Sequence, residues 1–435
     1  MNTSSGSLAD PNLLQQALER APWRAVTMPE DLVEAWRQAH HAAQAIAEVG
    51  KAWGNASDDD SHSAFEVVEP EGWFLPEGVD APDIETPGIE DLPRGVSPVA
   101  GGRGLVPALP GGGDGVDHDA DGNQSGDPHA SPAATSPAGE HSQIALPADE
   151  ALAMGPILRG PAIEADSQFA ATMAIVGHGL ALVGIDDGSV LACRPIAGQR
   201  TEDLREWIRG ETIVLTGTPP RQEAKPAPDL PHHPVAEDEP FPQTPPSDEA
   251  RCVLADLYAG TARMLAVLRA MLPPTDGAAD QTDASGRRDR FRFNVARDIL
   301  VWPHHFDLAW LHVAGQDAAN NAKGEAAMTR TVGIGLAVPD SIDDSGYWYV
   351  SPWNREGRLP SSIAWPDLDV GRWIESAGEN TKMAVLPIRD LIEAAAEERG
   401  SRTADEETAA IQRRLLARFL AQATSACITA VHAAD

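Results

Sequence analysis

The chain has 435 residues, 42% of them apolar, and carries a formal net charge of −33 at pH 7. Its length allows two or three domains, and its apolar share allows a sizeable core over part of the chain only. The charge excludes DNA, RNA and anionic membrane as main partners, since these select clustered Lys and Arg.

Residues 1–28 read as a disordered or loosely ordered N-terminus. Met1 to Pro11 is polar, with one acid (Asp10), no base and no apolar run of the secretory kind. An N-terminal α+β half is expected over 29–218. It opens with a helix from Pro29 to Trp53, where Leu32, Trp36, Ala39, Ala43, Ile46, Val49 and Trp53 recur at helical spacing. Ser61 to Val68 alternates as a short strand. From about 69 to 161 the chain is rich in Pro, Gly, Asp, Ser and Ala and reads as a disordered insertion, too poor in apolar area to offset ordering entropy. Strands are predicted over Phe169–Val176, Leu180–Ile185 and Ser189–Ile196, with Asp186-Asp187-Gly188 as a turn signal. A short helix from Thr201 stops at Gly210, and Glu211 to Gly217 is another strand.

Residues 219–246 form a Pro-rich linker. A C-terminal α+β half then spans 247–432. Ser247 caps a helix that runs to Leu272 on a stripe through Leu254, Leu257, Tyr258, Thr261, Met264, Leu265 and Leu268. Short strands follow near 298–302, 306–313, 331–338, 347–351, 372–375 and 382–386. Pro387 opens a helix that stops at Gly400, and Ala404 to His432 is the last. Helices sit before, between and after runs of short strands. That order implies an α+β fold of mostly antiparallel sheets, in two related or packed halves, interrupted by long disordered acidic insertions.

The acidity is local. Residues 54–166 hold 22 acids against 3 arginines, and 219–250 hold 7 against 2 bases. The remaining sequence is ordinarily charged for a soluble domain. Three cysteines lie far apart, which excludes a zinc ribbon or disulfide scaffold and fits a reducing compartment. The longest apolar run is too short and too glycine-broken to span a membrane. The expected localisation is cytoplasmic.

Several collinear motifs carry a resemblance. They are D-D-S-H at 59–62, L-P-H-H-P-V-A from Leu230 with Pro240-Phe241, W-P-H-H-F-D-L-A at 302–309, G-I-G-L at 333–336, Y-W-Y-V-S-P-W at 347–353 and A-V-L-P at 384–387. Their order resembles a family of uncharacterised bacterial proteins, a domain of unknown function. The two Trp-rich motifs are the most specific, and the acidic insertion is the main departure. The resemblance brings architecture but no activity, substrate or cofactor.

The chemistry-bearing candidates follow from residue type and spacing. His304, His305 and Asp307 form the densest cluster. On one continuous strand, Trp302, His304, Phe306, Leu308 and Trp310 would share a face, with His305 and Asp307 on the other. A carboxylate beside an imidazole fixes its tautomer and raises its basicity, as a general base or metal ligand requires. The bland alternative is a core-edge histidine and an Asp paired with an Arg. A metal would need a third ligand. His232 and His233 in the linker, His62 with Asp58–Asp60, and His40 or His41 are the candidates. Tyr347 and Tyr349 share a strand face with Ser351, and with Trp353 could wall a ligand pocket; the alternative is an ordinary aromatic strand face. Asp117 to Ser125 mimics an EF-hand loop, but Pro128 stands where a bidentate Glu is needed. Gly333 and Gly335 lack the context of a dinucleotide loop.

Three functions stay open on these residues. One is a small-ligand-binding or accessory protein acting through Tyr347, Tyr349 and Trp353. The second is a metal-assisted, hydrolase-like enzyme using His305 and Asp307. The third is an interaction protein acting through the acidic insertion. Whether the chain is an enzyme, and with what cofactor, is not determined by the sequence.

Overall fold

The computed structural model describes residues 10–53, 64–68, 157–163, 169–184, 189–220, 240–272, 298–303, 305–320, 326–354, 359, 363–375, 382–399 and 405–433. Most of the acidic insertion, the greater part of the linker with His232 and His233, His62 with Asp58–Asp60, the 186–188 turn and His304 lie outside them.

Helix α1 (Pro11–Leu18) forms where a loosely ordered terminus was expected. Asp10 caps it, accepting the Asn12 amide at 2.9 Å, and Pro11 occupies the first turn, where its missing N–H costs nothing. Leu14 and Leu18 are fully buried. The following segment is tied to the far end of the chain. Buried Gln412 accepts the Val26 amide at 2.7 Å and donates to the Val26 carbonyl at 2.8 Å, as a paired strand would. Trp23 lies against Gly260, where a Cβ would meet its ring at 2.7 Å. That contact explains a glycine inside a helix.

Helix α2 (Leu32–Trp53) buries Leu32, Trp36, Ala39, Ala43, Ile46 and Trp53, the stripe its spacing predicts. It leads into an antiparallel meander of β1 (Glu66–Val68), β2 (Ile157–Ile163), β3 (Phe169–Ala174), β4 (Gly179–Gly184) and β5 (Val190–Pro195). Strand β2 falls at the end of the tract read as disordered: Ile157 to Arg159 pair with both β1 and β3. Helix α3 runs from Thr201 to Thr216 through the predicted stop at Gly210, so the expected strand at 211–217 is helical. Leu204, Ile208 and Thr212 are buried four residues apart, and the Thr212 hydroxyl bonds back to the Ile208 carbonyl at 2.7 Å. Tertiary burial of one stripe outweighs the β-branched preference of Thr-Ile-Val. The helix ends at Gly217, in the left-handed region (φ 64°).

Helix α4 (Asp248–Met271) starts as read, with Ser247 accepting the Ala250 amide at 3.2 Å. The second meander comprises β6 (Leu300–Trp302), β7 (Asp307–Asn320), β8 (Ala326–Ala337), β9 (Tyr347–Asn354), β10 (Arg372–Glu375) and β11 (Lys382–Pro387), ordered β10-β11-β9-β8-β7-β6. Helices α5 (Ile388–Arg399) and α6 (Asp405–His432) close the chain. All described pairs in both sheets are antiparallel, and with the helices packed on them the fold is α+β.

The sheets meet edge to edge. Phe65 and Val301 exchange both backbone hydrogen bonds, at 3.0 and 2.7 Å, just before β1 and within β6. Each half therefore places a long helix first, then a meander whose first strand faces the other half. Helix α2 lies on β2 and β3, and α4 on β7 and β8. One apolar cluster runs through both halves, from Leu14 and Trp36 to Leu182, Trp348 and Phe419. Every described residue belongs to the compact unit formed by 1–82 and 147–435. No helix among the described residues is long and apolar enough to cross a membrane.

Candidate functional site

Strand alternation divides the larger sheet into two faces. Leu308 and Trp310 of β7, Ile334 and Leu336 of β8, and Trp348 and Val350 of β9 are buried in the main core. The opposite face carries Asp307, Ala309 and Leu311 of β7, then Gly333, Gly335 and Ala337 of β8, then Tyr347, Tyr349, Ser351 and Trp353 of β9. Asp307 and the two tyrosines thus lie on one face, with His305 in the turn before it.

The W-P-H-H-F-D motif is not one continuous strand. A turn at 303–306 separates β6 from β7, and Trp302 pairs directly with Asp307. Trp302 therefore shares the face of Asp307, not that of Leu308 and Trp310. Inside the turn Phe306 has φ 55°, a left-handed conformation that is costly for a bulky residue. It is nevertheless fully buried, and neighbours grip it from both helices. The Phe306 carbonyl accepts Tyr258 Oη of α4 at 2.6 Å, and Tyr258 Oη accepts Trp36 Nε1 of α2 at 3.0 Å. The Pro303 carbonyl accepts Gln44 Nε2 at 2.6 Å and lies 3.0 Å from His40 Nε2. The His40 ring stacks on Phe306, 5.1 Å between centroids and 7° from parallel. This bend exposes His305 and turns Asp307 inward to half-burial.

Tyr349 donates its phenol to Asp307 Oδ2 at 2.6 Å. To do so it reaches across β8, since the sheet order is β9-β8-β7. Gly335 makes this reach feasible: a Cβ there would sit 3.0 Å from the Tyr349 ring and 2.5 Å from the Leu308 carbonyl. The G-x-G of β8 is thus a bed for an aromatic ring. Burial raises the Asp307 carboxyl above the usual range, against the lowering pull of the Tyr349 bond and of the His305 charge. Burial and the Asp307 charge together push the Tyr349 phenol well up. No lysine or arginine among the described residues forms an ion pair with Asp307.

Tyr347 stands 6.5 Å from Tyr349, ring to ring, and donates to Asp340 Oδ2 at 2.9 Å. Burial and then the Asp340 charge raise its phenol. Asp340 and Asp343 have local structural duties as well, accepting the Ile342 and Ser345 amides in the loop between β8 and β9. Ile342 of that loop packs with Ala337, Tyr347 and Val385. Trp353 is 40% exposed and pairs with Thr331, four residues beyond Tyr349. At ~3.4 Å per residue it stands ~14 Å along the strand, apart from the tyrosine pair.

His40 and His41 are buried: His40 holds the turn, and His41 Nδ1 lies 3.0 Å from Thr201 Oγ1. Among the described residues no three His, Cys, Asp or Glu side chains are placed to hold a metal. Cys193 is exposed and Cys427 is buried. Tyr258, Trp36 and Gln44 escaped the sequence reading. Tyr258 looks like any member of an apolar helical stripe, and only its hydroxyl sets it apart. Comparison of the chain with family models, curated proteins and solved structures finds no match.

Proposed function

We propose that this protein binds a small, hydrogen-bond-donating organic cation, an amine or guanidinium compound, at Asp307 and Tyr349. One observation carries the reading: a half-buried carboxylate with a phenol as its hydrogen-bond donor and, among the described residues, no lysine or arginine paired with it. Burying a carboxylate is unfavourable unless a counter-charge compensates it, and a ligand cation adds to the pull of the His305 charge. The strained Phe306 beside it adds support, because such conformations, held by surrounding structure, cluster at functional sites. Tyr349 orients the carboxylate, Tyr347 extends the aromatic surface and exposed His305 forms the rim. Trp353 belongs to the site only for a ligand long enough to reach it. The cytoplasmic localisation and the kinship with the uncharacterised bacterial family remain part of the proposal and add no chemistry to it.

The test is an NMR titration of the wild-type protein with monoamines, diamines and guanidinium compounds, repeated on Asp307→Asn. Binding that weakens at least ~10-fold in the variant, the worth of one charge-assisted contact, supports the reading. No binding by any compound, or equal binding by the variant, removes it. The imidazole of His305 near the carboxylate favours a second reading, metal-assisted hydrolysis, with His304, His232 or His233 as further ligands. Near-stoichiometric metal in purified protein that falls in His305→Ala would favour that reading instead.

A further inference from the structure

The turn that presents Asp307 is held from behind, by groups that touch neither Asp307 nor Tyr349 through any hydrogen bond. Tyr258 is fully buried in α4 and uses its hydroxyl twice, as donor to the Phe306 carbonyl and as acceptor from Trp36. Its ring also lies 5.5 Å from the Phe306 ring and 6.0 Å from Trp36. On the other side of the turn, Gln44 and His40 of α2 converge on the Pro303 carbonyl. Two helices from different halves of the chain therefore hold the two ends of one four-residue bend. An unsupported Phe would leave the left-handed region, which is unfavourable for a bulky side chain. Such a relaxation would rotate the peptide before Asp307 and swing the carboxylate off Tyr349.

We infer that Tyr258, with Gln44 as its counterpart on α2, is a positioning residue that fixes Phe306 in its left-handed turn and so aims Asp307 at Tyr349. The inference rests on the Asp307–Tyr349 reading above, but its test needs no ligand. The buried hydroxyl does not act on a bound molecule; it acts through one carbonyl.

The experiment is Tyr258→Phe in the full chain, read by NMR titration of the Asp307 carboxyl carbon and by the Phe306 amide–Hα coupling. Thr261→Val is the control. Thr261 sits one turn further along α4, is equally buried, and accepts Trp348 Nε1 at 2.9 Å, so its loss also strands a tryptophan donor. Both variants should unfold at lower urea. Only Tyr258→Phe should change the Phe306 coupling and lower the Asp307 midpoint toward the ordinary carboxyl range, because relief of burial, the largest cause, outweighs loss of the Tyr349 bond. An unchanged Asp307 midpoint in Tyr258→Phe, or the same change in Thr261→Val, overturns the inference. Should Tyr258→Phe not fold, Gln44→Leu carries the same expectation and the same refutation. A shifted midpoint in a protein that binds no amine would uphold the positioning role and sink the ligand.

Discussion

The two sheets share a plan and differ on one face. In each, a long helix packs on the second and third strands and buries large apolar side chains: Leu158, Met173, Leu180 and Leu182 in the first, Leu308, Ile334, Leu336 and Trp348 in the second. The opposite face of the first sheet holds Ala170, Thr172 and Ala174 on β3 and Ala181 and Val183 on β4, all small and buried. At the corresponding place the second sheet carries Asp307, Gly335, Tyr347 and Tyr349. A backbone plan thus constrains the helix-facing side of both halves alike. The charged groups on that face of the first sheet, Glu66 and Arg159, pair with each other, whereas the second sheet carries a carboxylate held by a phenol. Fold and candidate chemistry are separable here, even within one pair of sheets.

The largest effects probe what the halves have in common. Trp348→Ala in the second sheet should cost ~3–5 kcal/mol, and Leu182→Ala in the first ~2–5. Because one core serves both, urea unfolding followed by fluorescence and by circular dichroism should remain one coincident transition in each variant. Separate transitions would split the halves into independent units.

Acid should weaken both halves through one histidine each. His178 in the β3–β4 turn and His312 on β7 are buried, and burial first, then Arg251 for His178 and His432 for His312, lowers each to about 4. A lowered folded value means the folded state binds the proton less well than the unfolded one. The stabilisation is therefore complete above ~6.5 and is lost as pH falls toward 4, by up to ~3 kcal/mol per residue. His178→Asn and His312→Asn should each flatten the fall in urea midpoint between pH 7 and 4.5. A profile as steep as wild type in both would show that other groups govern acid sensitivity.

Glycines sharpen the contrast at a smaller scale. Gly335→Ala places a Cβ against the Leu308 carbonyl and the Tyr349 ring, and should cost ~1–3 kcal/mol while freeing Asp307 from Tyr349. Gly160→Ala in the first sheet meets Ile46 and the Ala171 carbonyl at 3.2 and 3.3 Å and should cost less. Equal urea midpoints for the two variants would mean that Tyr349 does not need its bed.

Asp307→Asn should have the smallest effect on stability, and in the opposite direction. The folded carboxyl sits above its ordinary value, so its contribution is full at low pH and is lost as pH rises through the folded value. At pH 7 the variant should be as stable as wild type or slightly more so, and the difference should vanish below pH 4. A marked loss at pH 7 would make Asp307 a structural residue instead of a binding one.

Periodicity and caps made much of this legible in the sequence. Ser247 before an apolar stripe marked α4, and alternation marked β7 and β9. Asp10-Pro11 was an equally good start signal for α1, but the helix is short and the helix it packs on, α6, lies at the far end of the chain. The strand expected at 211–217 failed because β-branched residues record a local preference, whereas Leu204, Ile208 and Thr212 decide burial. Asp307 and Tyr349 were both visible as candidates. Their bond was not, because it crosses an intervening strand whose glycine permits the reach. The left-handed Phe306 was likewise hidden, for no residue type announces a conformation imposed by neighbours on two other helices.

The Phe65–Val301 junction has a consequence for how the chain could be divided. Val68 and Ile157 are sequence-distant but pair directly across β1 and β2, and Phe65 is clasped by β6 on its other side. The first segment of the protein is thus held by noncovalent contacts on both flanks, and its two helices sit in the common core. A covalent link between 68 and 157 raises the effective concentration of the two segments. Two separately made pieces, 1–68 and 157–435, should find each other and reconstitute the fold, a natural seam along which this protein could be split and reassembled at will.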